Sequence, residues 1–201
     1  MTDMDELDEQ VRQAAFGLLV RDGRPVAVGA LAASLPTRRD PGPVRDAVAR
    51  LAASGHLDRD RRGAVVGAGG LTLGDGPHRL VLRERAYRTW CAFDAIGIPA
   101  ALGAAASVST RCGVCGQEIA LQLPVRAAAG RPERLWLAAG GTDLRAEFCT
   151  PTVLLCSSAH ADAWAARQQG RGQALDLAEA SRIGAAEWAA YARETARLGA
   201  A

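Results

Sequence analysis

The sequence predicts an α+β protein: an N-terminal three-helix unit, then a core of small antiparallel β-sheets flanked by helices. Three observations carry this. Before Gly55, apolar residues recur at helical spacing, as in Val11, Ala14, Ala15, Leu18 and Leu19. After Gly70 the pattern changes to short alternating or apolar runs bounded by glycine and proline, such as His78-Arg79-Leu80-Val81-Leu82. From Asp176 to Leu198 an amphipathic helical pattern returns.

Taken in order, the first helix is expected over Glu9–Arg21 and a second, short one over Val28–Ser34, ending before Pro36. Arg38-Arg39-Asp40-Pro41-Gly42 reads as a turn. Pro43 suits the first turn of a third helix, Val44–Ser54, which Gly55 closes. His56-Leu57-Asp58 and Ala64-Val65-Val66 flank the charged turn Arg59-Asp60-Arg61-Arg62-Gly63 and read as a hairpin. Three helices followed by a basic hairpin outline a winged-helix-like unit. One reading is DNA binding, with Val44–Ser54 in the major groove and the Arg-rich hairpin on phosphates. The other is a scaffold or lid. The third helix offers Arg45, Asp46 and Arg50 but no Asn or Gln to read bases, which weighs against DNA.

Gly67-Ala68-Gly69-Gly70 reads as a hinge, and no Lys follows it to make a phosphate loop. The expected domains are therefore residues 1–67 and 68–201. Strands are expected at Leu71-Thr72-Leu73, His78–Leu82, Ala106–Ser109, Glu118–Leu123, around Leu135-Trp136-Leu137, and at Val153–Ser158. Asp143–Cys149 reads as a short helix or turn ending on a thiol. Ser158 is positioned to cap a helix over Ala159–Gln168. Gly97-Ile98-Pro99 should break or bend the chain.

A hydrophobic fraction of 49% over 201 residues supports a real core and excludes global disorder. The net charge of +2 does not call for a polyelectrolyte partner. All 24 basic residues are Arg, which reads as coding-sequence base composition rather than chemistry. The N-terminus Met1–Glu6 is acidic and no apolar run reaches membrane-spanning length, so a soluble, cytoplasmic protein is expected. Five cysteines, an odd number, suggest reduced thiols rather than a disulfide framework.

The chemistry centres on Tyr87-Arg88-Thr89-Trp90-Cys91-Ala92-Phe93-Asp94. If the segment is helical, Cys91 and Asp94 share a face three positions apart, and the carboxylate can take the thiol's proton and return it elsewhere. The bland alternative is a small core cysteine beside a solvated Asp. Cys149 faces the same alternative. Cys112-Gly113-Val114-Cys115 forms a tight knuckle: half a zinc site, a redox pair, or a turn. A complete zinc site would need Cys149, Cys156 or His160 as well. His56 and His78 read as ordinary turn and strand residues.

The second half resembles the organomercurial (alkylmercury) lyase family. The resemblance rests on Thr89-Trp90-Cys91-Ala92-Phe93-Asp94, Ile98-Pro99-Ala100-Ala101-Leu102-Gly103, and Ala106-Ser107-Val108-Ser109 before Cys112. It continues through Glu147-Phe148-Cys149, Ser158 to Trp164 running into Gln169-Gly170, and Glu179-Ala180 leading to Ile183-Gly184; Gly70-Leu71-Thr72-Leu73 also fits. The resemblance implies that Cys91 and Cys149 are mercury-binding thiols, that Asp94 handles the proton, and that Cys112 is structural. It implies an N-terminal winged-helix-like unit too, which further lowers the DNA reading. Nucleic acid is not an expected partner, and neither is a membrane.

The activity implied is protonolysis of a carbon–mercury bond without an organic cofactor, mercury being substrate and product. Hg(II) would pass to a low-molecular-weight thiol or a mercuric reductase. Soft mercury prefers thiolates, and breaking its bond to carbon needs a proton delivered to carbon. Cys115, Cys156 and the apolar Leu154-Leu155 depart from the family's pattern. A thiol-based metal-sensing regulator, and a homologue that binds soft metal or acts on another substrate, stand as alternatives. Asp94 favours the enzyme, since a sensor or buffer needs no proton donor.

Overall fold

The computed structural model describes residues 3–37, 39–124 and 131–199. Met1 and Thr2 of the acidic N-terminus and Arg38 of the expected turn lie outside them. The elements begin with α1 (Asp3–Asp22), α2 (Val28–Ser34), α3 (Pro41–Ala53), β1 (Leu57–Arg59), β2 (Val65–Ala68) and β3 (Leu71–Thr72). Next come β4 (His78–Leu82), β5 (Arg85–Thr89), α4 (Ala92–Ala101), β6 (Ala106–Arg111), β7 (Glu118–Leu123) and β8 (Arg134–Ala138). After a π-helical turn at Leu144–Cys149 come β9 (Val153–Leu155), α5 (Ser158–Arg167), β10 (Gly172–Leu175), α6 (Leu177–Glu187) and α7 (Ala189–Arg197). The α+β class expected from the sequence is the one observed.

The chain packs as two compact units. One runs to Gly74 and regains the chain from Ala189 onward; the other is Asp75–Trp188. The sequence reading divides the chain at residue 67 and assigns everything after it to one core. In the first unit, Val11, Ala14, Ala15, Leu18 and Leu19 of α1 are all buried, as their spacing requires. Phe16 meets Tyr191 of α7 edge to face, with centroids 5.2 Å apart. β1, β2 and β3 pair antiparallel in that order. Gly67–Gly70, read from the sequence as a hinge, is built into the sheet: Gly67 and Ala68 belong to β2, and Gly69 and Gly70 turn the chain into β3 with φ of 55° and 90°. Both left-handed positions are ones glycine takes without strain.

In the second unit, four strands run antiparallel in the order β5-β4-β6-β7, and a separate three-stranded sheet has the order β10-β8-β9. The inward faces alternate as expected, with Val108 and Thr110 of β6 and Ile119, Leu121 and Leu123 of β7 buried. β5 has no clear signal in the sequence. Its hairpin with β4 turns on Arg83 and Glu84, both at positive φ, a turn without the Gly, Asn or Asp that ordinarily marks one.

α4 is buried from Ala92 to Pro99, an all-apolar helix apart from Asp94. Gly97-Ile98-Pro99 does not break it, because burial on all sides holds the helix through Pro99 to Ala101. Gly97 instead gives close approach: a Cβ there would lie 2.5 Å from the Trp188 ring and 2.9 Å from the Gly184 Cα of α6. The expected single helix over Asp176–Leu198 is two, α6 and α7, parted at Trp188, whose ring packs edge to face on Phe93 at 5.1 Å. No Gly or Pro marks that break, so packing makes it.

Candidate functional site

Tyr87–Asp94 is not one helix. Tyr87 to Thr89 close β5, and Cys91 is the extended N-cap of α4, with φ −140° and ψ 174°. Cys91 and Asp94 are therefore joined by a reciprocal cap rather than a shared helical face. The Asp94 carboxylate accepts the Cys91 backbone N–H at 2.7 Å, and the Asp94 N–H reaches the Cys91 sulfur. Thr89 Oγ1 donates to the Cys91 carbonyl at 2.9 Å, which fixes the strand-to-helix junction.

Cys149 ends the π-helical turn, whose start is capped by Asp143 accepting the N–H groups of Arg145 and Ala146. Thr152, three residues on, ties this segment to the strand-to-helix junction. Its carbonyl accepts from Ala92 N at 3.2 Å, and its hydroxyl accepts from Ala138 N at 3.1 Å. The result brings the Cys149 thiol into hydrogen-bonding contact with that of Cys91. All three expected site residues thus meet, and all three are buried. Cys149 also lines a cleft of about 690 Å³ whose walls include Trp90, His78, Arg88 and Thr110.

Burial pushes the Cys91 thiol well above its usual value, and contact with Cys149 and the charge of Asp94 push it the same way. A helix N-terminus ordinarily draws a thiol down; here desolvation wins. Burial also raises the Asp94 carboxyl, to about 6, against the opposing pull of the Cys91 N–H and thiol and of the Arg145 charge. The carboxyl can therefore both take and give a proton near neutrality, beside a thiol that holds its own. Arg145 is a site neighbour that sequence reasoning misses. It stacks over the Trp90 ring 3.3 Å from the centroid, and nothing in its sequence spacing signals this.

A second cluster lies at the far end of β9. Cys112, Cys115, Cys156 and His160 present ligand atoms that all lie within 4.8 Å of one another. Burial raises the Cys112 thiol, but backbone N–H groups of Cys115, Val114 and Cys156 more than offset it and bring it to about 6. Burial and the neighbouring thiols push Cys156 up to about 11. The N-cap of α5 is Ser157, one residue before the expected Ser158, accepting from His160 N at 3.2 Å. In the first unit, Arg50 of α3 stays partly exposed and is bonded to Asp8 at 2.6 Å. No helix among the described residues is long and apolar enough to cross a membrane.

The sequence profile of the alkylmercury lyase family (MerB) matches residues 71–189. The chain is 33% identical over 116 residues to the alkylmercury lyase of Pseudomonas putida, covering 55% of this chain and 54% of that protein. It is 38% identical over 103 residues to that of Streptomyces lividans, covering 51% and 45%. The chain spans about half the length of these two relatives. Among solved structures, the crystal structure of the mercury-bound form of MerB2 aligns with a TM-score of 0.75 at 20% identity, covering 96% of this chain and 100% of that one. That likeness is one of fold.

Proposed function

The chain belongs to the alkylmercury lyase family, and on that premise we propose that it cleaves the carbon–mercury bond of organomercurials by protonolysis, giving a hydrocarbon and Hg(II). The observation that carries this reading is the meeting of two thiols and one carboxyl with an acidity near neutral in a single buried pocket beside a cleft.

In the proposed sequence, Cys149 at the cleft wall loses its proton and captures the R–Hg cation. Cys91 then binds mercury as the Asp94 carboxylate takes its proton. The second sulfur adds electron density to the metal and weakens its bond to carbon. Asp94 returns the proton to carbon as the mercury–carbon electron pair moves onto it. One R–Hg cation and two thiols thus become R–H, a mercury bis-thiolate and one released proton. No organic cofactor enters this balance. Hg(II) leaves by exchange onto a low-molecular-weight thiol or a mercuric reductase. Five cysteines without a disulfide suit a reducing cytoplasm.

The test is headspace detection of benzene or methane from phenyl- or methylmercury in the presence of excess thiol. The wild type should turn over repeatedly, whereas Cys91→Ser and Cys149→Ser should release no hydrocarbon above the thiol control. Equal release from either variant and the wild type would remove that cysteine from the reaction.

A further inference from the structure

We infer that Cys112, Cys115, Cys156 and His160 form a structural zinc site, separate from the Cys91–Asp94–Cys149 pocket and not dependent on the lyase reading. Tetrahedral zinc, with Zn–S of about 2.3 Å and Zn–N of about 2.0 Å, sets S···S edges of about 3.8 Å and S···N edges of about 3.5 Å. The structure has Cys115 Sγ 3.8 Å from Cys156 Sγ, and Cys112 Sγ 3.5 Å from His160 Nδ1. Cys156 Sγ to His160 Nδ1 is shorter, 3.0 Å, and opens to the tetrahedral edge with a small rotation of either side chain. The Cys115–Cys156 separation is far beyond the disulfide length of about 2.05 Å.

The backbone is built for this. The knuckle between β6 and β7 is closed by Gly116 N donating to the Cys112 carbonyl at 2.9 Å, with Gly116 at φ 73°. Cys112 N donates to the Gln117 carbonyl at 2.8 Å. Backbone N–H groups of Val114, Cys115 and Cys156 converge on the Cys112 sulfur, the arrangement by which a turn holds a metal-bound sulfur in place. His160 is aimed by the first turn of α5, where Ser157 holds its backbone N–H. A zinc ion held through His160 Nδ1 would require the neutral ring to carry its proton on Nε2. Zn²⁺ would replace the protons of three thiols, releasing three H⁺ to solvent and leaving a site of net charge −1. Arg111, anchored on the Gly116 carbonyl at 3.1 Å, lies on the same knuckle. Four protein ligands leave no open position, which marks a structural rather than a catalytic zinc.

The site would join the β6–β7 hairpin to the β9–α5 junction. Those segments already touch through Gly113 N donating to the Leu154 carbonyl at 3.1 Å. β9 carries the chain from Thr152, which holds the Cys149 segment, to Cys156. The metal thus anchors the far end of the strand that positions the second thiol.

The full chain, purified without chelator under reducing conditions and before any exposure to mercury, should carry equimolar zinc by elemental mass spectrometry. The Cys91→Ser/Cys149→Ser double variant should keep it; Cys115→Ser and His160→Ala should lose most of it. Cobalt substituted into the wild type should show thiolate-to-metal charge transfer and intense tetrahedral bands, a readout that survives if either variant fails to fold. Wild type that binds neither zinc nor cobalt would overturn the proposal. So would zinc that follows Cys91 and Cys149, or an intact mass two hydrogens short from a Cys115–Cys156 disulfide.

Discussion

The Asp94 carboxylate accepts the backbone N–H of Cys91 at 2.7 Å, and the Asp94 backbone N–H reaches the Cys91 sulfur in return. Acid and thiol are held by the start of one helix, so neither moves without the other. Asn at position 94 keeps an oxygen to accept the Cys91 N–H but offers no acid proton. Asp94→Asn should therefore still bind phenylmercury, measured by equilibrium dialysis. Its hydrocarbon release should fall by at least about 100-fold, the usual worth of positioned acid–base catalysis. Unchanged turnover would remove Asp94 from the proton path.

The proposed chemistry needs Asp94 as carboxylate beside a protonated Cys91. Burial raises Asp94 to about 6, and burial with Cys149 and Asp94 raises Cys91 well above the usual thiol range. The rate at low substrate should accordingly rise with pH through about 6 and then stay level through neutrality. The Arg145 charge pulls Asp94 downward, so Arg145→Gln should shift the acidic limb to higher pH. A limb that stays in place under that substitution would contradict the electrostatic account.

His78 and Asp94 should push stability in opposite directions across the acid range. Burial lowers His78 to about 4, with its Nδ1 2.6 Å from Thr110 Oγ1. The unfolded chain binds this proton first, so His78 removes stability as pH falls from about 6.5 to about 4, by roughly 3 kcal/mol in all. Asp94 has its folded value raised, so its contribution is full below about 4 and is lost as pH rises through about 6, on a similar scale. Urea denaturation of His78→Gln, relative to wild type, should show a gain that grows on acidification. Asp94→Asn should show a gain that grows toward neutral pH. Flat differences for both would contradict the buried titrations.

Gly97→Ala tests the packing beneath the site. The added methyl would meet the Trp188 ring at 2.5 Å and the Gly184 backbone at 2.9 Å. Neither can retreat freely, because Trp188 is wedged against Phe93. The variant should lose about 1–3 kcal/mol by urea denaturation, in the range of overpacked cores. A neutral result would mean that α4 and α6 separate without cost.

Much of the fold is legible in the sequence because periodicity reports burial directly. The helical spacing of Val11 to Leu19 and the alternation of β6 and β7 both become core faces. The features that sequence reasoning misses arise from packing rather than local composition. Examples are the Arg83–Glu84 turn, the helix persisting through Pro99 and the break at Trp188. At the proposed site, residue types alone leave the core-cysteine alternative open, and it is the family resemblance that points to Cys91, Asp94 and Cys149. Their capping geometry is hidden, because a strand-to-helix junction and a continuous helix carry the same apolar run. Cys112-x-x-Cys115 reads as half a site in the sequence, with Cys149, Cys156 and His160 left open as its completion; the pairing of Gly113 with Leu154 is what brings Cys156 and His160 to it.

The most direct measurement is a single turnover in heavy water, with phenylmercury limiting and protein in excess. The account predicts benzene carrying one deuterium per mercury consumed, with Hg(II) retained on protein that has both Cys91 and Cys149. Intact phenylmercury recovered from the protein with no benzene formed would contradict it, as would benzene without solvent deuterium.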